Sequence, residues 1–451
     1  MPERSVSILK KLFCLLTVLV LAMLCTAAGA DIASAKPIDP SAPRNISIKP
    51  AGVNPWPTDG TSPTTGRDLD QLAEEHEEQL AEGYLGMAVT GVYYPIMVQH
   101  SGFSAGAETG APFYGSYADV FYETAKSQTG HSRMCMIFND FLPRFAGASR
   151  STRIGYLSIR QEWNAPYFFQ GRQLTAGGPT DVNAFISRLG LPDSGTGKEP
   201  WSQKVIFDGN SGFKEWLKYR YTVDKKLPRG NNVIWDLASA YSNFLGERSF
   251  EDHNHTFRFG DLPEGGDNAE TVFVYFNTKG TKQKDGSYWY YFNMMYEYDE
   301  DENVYYRYSI EDLKQPQNNA HLFVEHNIEI EKATKSAQDG KKEGTVINNC
   351  TLSYGEPITF ANIIIQYVDA NWNAGGQCPN PTLLGTGNAD YFMGGKHYAG
   401  VWDRQQINDR TVFYGPDGSE MPLQPGRTII VIMDYKTRLG SNPTPRLVTY
   451  E

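Results

Sequence analysis

Cysteine and histidine are both scarce in this chain. Five cysteines and eight histidines are spread over 451 residues. Cys14 and Cys25 fall in an apolar N-terminal run, which leaves Cys135, Cys350 and Cys378. No two are spaced CxxC, so a zinc site of that kind is excluded and no metal is expected. Cys350 and Cys378 flank a strand-like stretch and form a candidate disulfide in an oxidising compartment. Cys135 lies among methionines and reads as a small buried apolar residue. No serine has the histidine neighbours of a catalytic triad. Gly385-Thr386-Gly387 lacks the third glycine and the following helix of a dinucleotide fingerprint, so no cofactor is expected. Basic excess is also missing. The formal net charge is −11, which argues against nonspecific nucleic-acid binding, a process that depends on neutralising phosphates. No internal repeat is present.

The N-terminus does carry a recognisable order. Arg4, Lys10 and Lys11 precede an apolar stretch at 12–24, and Ala28-Gly29-Ala30 supplies small residues. That order reads as an export signal over 1–30. The apolar run 12–30 is also barely long enough to span a bilayer, so an uncleaved anchor is the alternative. No other stretch approaches that length. The bulk of the chain is expected outside the cytoplasm, secreted or tethered to a membrane. Residues 31–66, rich in Pro, Ser, Thr, Gly and Asn, read as a flexible tether. A short acidic helix follows, completing the segment 31–82.

Two domains are expected beyond it. Strand-like and helix-like stretches alternate through 83–268, which points to an α/β domain. Strands dominate 269–451, a β-rich C-terminal domain, with the polar loop 251–268 as the junction. Residues 332–342 read as a charged, mobile insertion. Trp402 reads as a core residue. His253 and His255 sit in the junction loop, where surface polarity and a transition-metal pair are the two readings.

Charges concentrate in residues 117–153. Side chains alternate across a strand, so Asp119, Phe121 and Glu123 share one face. By the same parity Arg133 goes with Cys135 and Ile137. Arg150 and Arg153 stand at the mouth of a predicted helix, where free N–H groups and guanidinium forks favour an anion. The alternatives are that these arginines pair with Asp119 and Glu123 and lock strand to helix, or that they are solvated surface. The two carboxylates are also candidates for general acid/base catalysis or metal ligation. His100 and His131 at the edges of the region are either structural or acid/base groups. Ser149, Ser151 and Thr152 read as helix-capping residues.

The same stretch resembles the YerB-like lipoprotein family of bacteria, whose members are largely of unknown function. The shared letters are Ala118-Asp119, Tyr122-Glu123, Gly130 with Arg133, and Gly147 with Arg150, Ser151 and Arg153. The resemblance resumes in Leu384-Gly385-Thr386-Gly387, Gly400-Val401-Trp402, Pro416-Asp417-Gly418 and Leu423-Gln424-Pro425-Gly426. The family usually places an aspartate and an asparagine where this chain has Gln99 and His100. Its lipoproteins are acylated on a cysteine after a small residue, whereas Cys25 here follows Met23 and Leu24. The resemblance implies a cell-envelope protein and brings no established chemistry. The order carboxylate, strand, arginine pair is also similar, by analogy only, to LytR-CpsA-Psr phosphotransferases. Two functions therefore stand open. One is a binding or scaffold module for an envelope protein or wall component. The other is a cell-surface phosphotransferase or phosphohydrolase with an arginine anion clamp and Asp119 as base or metal ligand. Whether the chain is an enzyme depends on whether the arginines face a ligand or are roofed by Asp119 and Glu123.

Overall fold

Several stretches are apolar without alternation, such as Ile363-Ile364-Ile365 and Ile429-Ile430-Val431-Ile432-Met433. Strands of this composition are covered on both faces, and here they form the centre of the molecule. The computed structural model describes residues 35–51, 57–102, 111–125, 132–174, 180–195, 199–210, 218–221, 233–246, 255–276, 281–282, 288–289, 293–310, 320–330, 333–338, 342–347, 350–372, 379–437 and 447–451. Among them a twelve-stranded sheet runs in the order Asp267–Asn268, Lys396–Arg404, Gly385–Met393, Asn362–Trp372, Thr428–Thr437, Val120–Ala125, Ser132–Phe138, Ile96–His100, Tyr167–Phe169, Ile206–Asp208, with Pro379–Pro381 added beside Asn362–Trp372 and Val412–Tyr414 beside Lys396–Arg404. Asn362–Trp372, Thr428–Thr437 and Val120–Ala125 are mutually parallel. Ile96–His100, Tyr167–Phe169 and Ile206–Asp208 are parallel as well. Ser132–Phe138 is antiparallel to the strands on both sides of it. All the parallel strands therefore point their carboxyl ends to one edge of the sheet.

Each face of the sheet has its own cover. On one side lies an antiparallel seven-stranded sheet containing Thr271–Tyr275, Asn293–Asp299 and Val304–Ile310. Phe121, Met134, Met136, Ile363 and Ile429 form one core with its Val272, Val274, Tyr296 and Tyr305. On the other side the helix Ile154–Trp163 buries Tyr156, Leu157, Ile159 and Trp163 against Tyr122, Cys135, Ile137, Ile430 and Ile432. Neighbours such as Phe121 and Tyr122 thus serve different cores, as a period of two requires.

The strand-rich architecture suits the β-rich C-terminal expectation, but the sheet does not respect the boundary at 268. Strands from 83–268 and 269–451 are shuffled together in it, so the two stretches share both cores. The expected tether also needs correcting. Lys36–Pro37 pairs with Tyr450 and Thr449. Arg44 Nη2 donates to both oxygens of the Asp390 carboxylate, at 3.0 and 2.9 Å. Ser62, Thr64 and Thr65 are buried as hydroxyl donors to Asp140. The Ser and Thr content of this segment serves side-chain hydrogen bonding, not flexibility. Residues 233–240 start with the strand Val233–Asp236, and Asp236 then caps the turn Leu237–Ala240 by accepting from the Ser239 N–H. The charged insertion contains a hairpin, Ala333–Gln338 with Lys342–Ile347, that joins Lys218–Tyr221 in parallel. Trp402 is a core residue, its indole N–H donating to the Tyr367 carbonyl at 2.9 Å. Cys135 is buried with a free thiol. Cys378 of the candidate disulfide lies outside the described residues.

The two sheets are joined across their interior by an ion pair. Arg307 Nη2 meets Glu123 Oε2 at 2.9 Å, and both side chains are 0% exposed. Ser132 Oγ donates to the other Glu123 oxygen, and the Arg307 guanidinium lies 4.4 Å from the Phe323 ring centroid. Removing one partner of such a pair strands a buried charge. Arg307→Met is expected to cost about 3–5 kcal/mol, and the double change Arg307→Met with Glu123→Gln less than the sum of the two single changes. Urea denaturation of the four proteins checks this; additive losses would contradict it.

Candidate anion-binding site

The register of one hairpin sorts the charged residues of 117–153. Val120–Ala125 pairs with Ser132–Phe138 so that Thr124 faces Arg133 and Glu123 faces Met134. Arg133 therefore lies on the helix-covered face and Glu123 on the face toward the second sheet. Asp119 is at the far end of the strand, its N–H donating to the Ile137 carbonyl at 2.8 Å. Five residues of strand rise separate Asp119 from Thr124, about 17 Å. The pairing of the three arginines with Asp119 and Glu123 does not occur.

Both carboxylates are occupied elsewhere. Glu123 holds Arg307. Asp119 Oδ2 accepts from the N–H groups of Asn139 (2.6 Å) and Asp140 (3.0 Å). Burial raises the Asp119 carboxyl well above its usual range, and the adjacent Asp140 raises it further. Asp140 is also raised by burial, against the hydroxyl donors that lower it. This acid pair anchors residues 62–65 and is remote from the arginines. Among the described residues no group of three His, Cys, Asp or Glu side chains is placed to hold a metal.

The arginines gather at the carboxyl edge of the parallel strands. The loop carrying Arg150 is held there on several sides. The Ser149 N–H donates to the Val233 carbonyl (2.7 Å), and Ser149 Oγ donates to the Gln99 carbonyl (2.7 Å) while accepting from the Trp235 indole (3.0 Å). The Arg150 carbonyl accepts from the Gln170 N–H (3.0 Å), and the Thr152 N–H donates to the Gly171 carbonyl (2.9 Å). The Tyr167 hydroxyl bridges Gln99 Oε1 and Thr152 Oγ1. Ser149, Ser151 and Thr152 are not the N-cap of the helix: Arg153 holds that position, and its side chain makes no capping hydrogen bond. Arg153 Nη1 donates to the carbonyl of Thr152 at 2.9 Å.

Arg133 is the buried member, 7% exposed. Among the described residues its Nε and Nη1 have no hydrogen-bond partner. Burial pushes its pKa down to about 9, with repulsion from Arg153 and then Arg150 adding to the effect. Arg150, half-buried, is lowered by burial too. Asp434 stands near this edge, two residues beyond Ile432, which pairs with Thr124; it makes no ion pair with Arg133 within 4.0 Å. Among the described residues the cluster thus combines a buried guanidinium whose Nε and Nη1 lack hydrogen-bond partners, two cationic neighbours and the positive end of a ten-residue helix.

The histidines contribute little chemistry at this place. His100 is buried, its Nε2 has no hydrogen-bond partner among the described residues, and its pKa is pushed down to about 3 by burial, with Arg133, His326 and Arg307 contributing. It is neutral near pH 7. His131 and His253 lie outside the described residues. His255 is not a surface residue: it is buried, stacked on Trp163 at 3.6 Å, with Nε2 3.3 Å from Glu162 Oε1. Glu162 also binds Arg404. The residues that hold the arginine loop, Gln99, Tyr167 and Trp235, were not site candidates in the sequence. The aromatic run at 165–170 is the one local signal for them.

Residues 347–430 match the family described as "Protein of unknown function (DUF3048) C-terminal domain". The chain is also similar in fold to a solved YerB. The crystal structure of YerB from Bacillus subtilis superposes with a TM-score of 0.52 at 17% identity, covering 83% of this chain and 96% of that one. Together these support a YerB/DUF3048-like family, in line with the YerB-like resemblance read from the motifs. No curated protein matches the chain. The arginine cluster lies outside 347–430, in the part likened to YerB by fold and by motif letters alone.

Proposed function

We propose that the chain is an extracytoplasmic, cell-envelope binding module whose arginine cluster takes an anionic group of an envelope protein or wall component. The observation that carries this is Arg133, a buried cation with cationic neighbours and two donor nitrogens unsatisfied among the described residues. A protein interior accepts such a group when a counter-ion completes it. A phosphotransferase or phosphohydrolase is the weaker reading, because Asp119, its expected base, is about 17 Å along the strand from the rung of Arg133 and on the opposite face.

The envelope location rests on the basic, apolar and small-residue order of 1–30. Fractionation of cells carrying a tagged chain is expected to recover it in the membrane or the extracytoplasmic fraction. Full-length protein in the cytosol would contradict the location.

Arg133→Met tests the binding role. It removes repulsion without stranding a carboxylate, so the melting temperature in phosphate-free buffer is expected to hold or rise. Wild type is expected to gain stability in inorganic phosphate, about 2.7 kcal/mol at a hundredfold excess over Kd, and the variant to gain little. A loss of several kcal/mol in Arg133→Met, with a wild type indifferent to phosphate, would make Arg133 a structural residue.

A further inference from the structure

We infer that Thr124 is a second ligand-contacting residue of this site, its hydroxyl bonding the same oxyanion as the Arg133 guanidinium; the inference rests on the anion-binding reading above. Thr124 stands directly opposite Arg133 in the ladder of Val120–Ala125 with Ser132–Phe138. Side chains paired in this way lie on one face, with Cβ atoms about 4.5–5.5 Å apart. The face is the one under the helix, where Val120 and Tyr122 of one strand and Cys135 and Ile137 of the other also pack. Thr124 is 5% exposed and Arg133 7%. Both are therefore nearly enclosed at the same rung, and each keeps a narrow opening to solvent.

A nearly buried hydroxyl calls for a hydrogen-bond partner. The buried hydroxyls around Thr124 each have one: Ser132 donates to Glu123, Ser149 to the Gln99 carbonyl, Tyr167 to Thr152, and Tyr156 to the Arg133 carbonyl. Thr124 Oγ1 differs from them, with no hydrogen bond among the described residues. Its neighbours explain why. Across the other side of its strand it pairs with Ile432. The helix residues Ile154 and Leu157 add only carbon to this face, and the Tyr156 hydroxyl is already engaged. The polar neighbour on its rung is Arg133, whose Nε and Nη1 also lack hydrogen-bond partners among the described residues. Two donors thus share one rung without an acceptor. Nε is the guanidinium nitrogen nearest the sheet, and the short threonine side chain ends near the sheet as well. One oxyanion with two or more oxygens can accept from both, and hydrogen bonds to a charged group are the strong ones. The contact needs nothing from Arg150 or Arg153, which already interact with other groups of the chain.

Calorimetric titration of the whole chain with inorganic phosphate tests the contact. Thr124→Val keeps the shape and the strand preference and removes the hydroxyl. Its Kd for phosphate is expected to rise about tenfold or more, while its melting temperature in phosphate-free buffer holds or rises. Thr124→Ser keeps the hydroxyl and loses a methyl group, so it is expected to bind phosphate as wild type does even where it melts lower. Thr124→Ala carries the test if Thr124→Val does not fold. Wild-type affinity in Thr124→Val, with binding lost in Arg133→Met, would overturn the inference and leave the anion-binding reading standing. Equal losses in Thr124→Val and Thr124→Ser would make Thr124 a packing residue and overturn the inference as well. No binding of phosphate by wild type would overturn both.

Discussion

The register of the hairpin Val120–Ala125 with Ser132–Phe138 is the constraint on which the rest depends. Glu123 and Arg133 sit on adjacent rungs, yet their side chains leave the sheet on opposite faces. A slip of one residue would bring them to one face, and they would neutralise each other. The observed register sends Glu123 to Arg307 of the second sheet and leaves Arg133 under the helix. One carboxylate thus fastens two sheets together, while the cation beside it in the ladder makes no ion pair among the described residues.

The cluster gains its character from strand direction. The parallel strands end at one edge, the helix Ile154–Trp163 begins there, and Ser132–Phe138 starts there because it is antiparallel. Three arginines, from a strand, a loop and a helix cap, therefore meet although their backbone elements run in different directions. The loop between them is held by Gln99, Gly171, Val233 and Trp235, so the arginines stand on fixed backbone. Preorganisation of this kind lets a ligand bind without first ordering its site.

Face parity was legible in the amino-acid order: Arg133 with Cys135 and Ile137, and Asp119 with Phe121 and Glu123. Period-two alternation is local, and local patterns survive folding. The helix after Arg153 was legible for the same reason. Partners were not. Arg307 lies 184 positions from Glu123, and no spacing rule connects them. Residues 62–65 looked like a linker because Ser, Thr and Pro signal loops, yet their hydroxyls are the donors a buried Asp140 needs. The boundary at 268 followed a real change in composition, but sheet pairing depends on register and apolar faces, and strands from both sides interleave. The residues holding the arginine loop act through backbone carbonyls and ring hydroxyls, which leave no motif.

The central claim is that Arg133 awaits an anion. A crystal structure grown without phosphate or sulfate and soaked in tungstate measures this directly, because tungsten's anomalous signal locates the ion. The account expects tungstate with its oxygens about 2.7–3.2 Å from the Arg133 guanidinium nitrogens, with Arg150 and Arg153 turned toward it. A carboxylate of this chain paired with Arg133, and no tungstate beside it, would contradict the account.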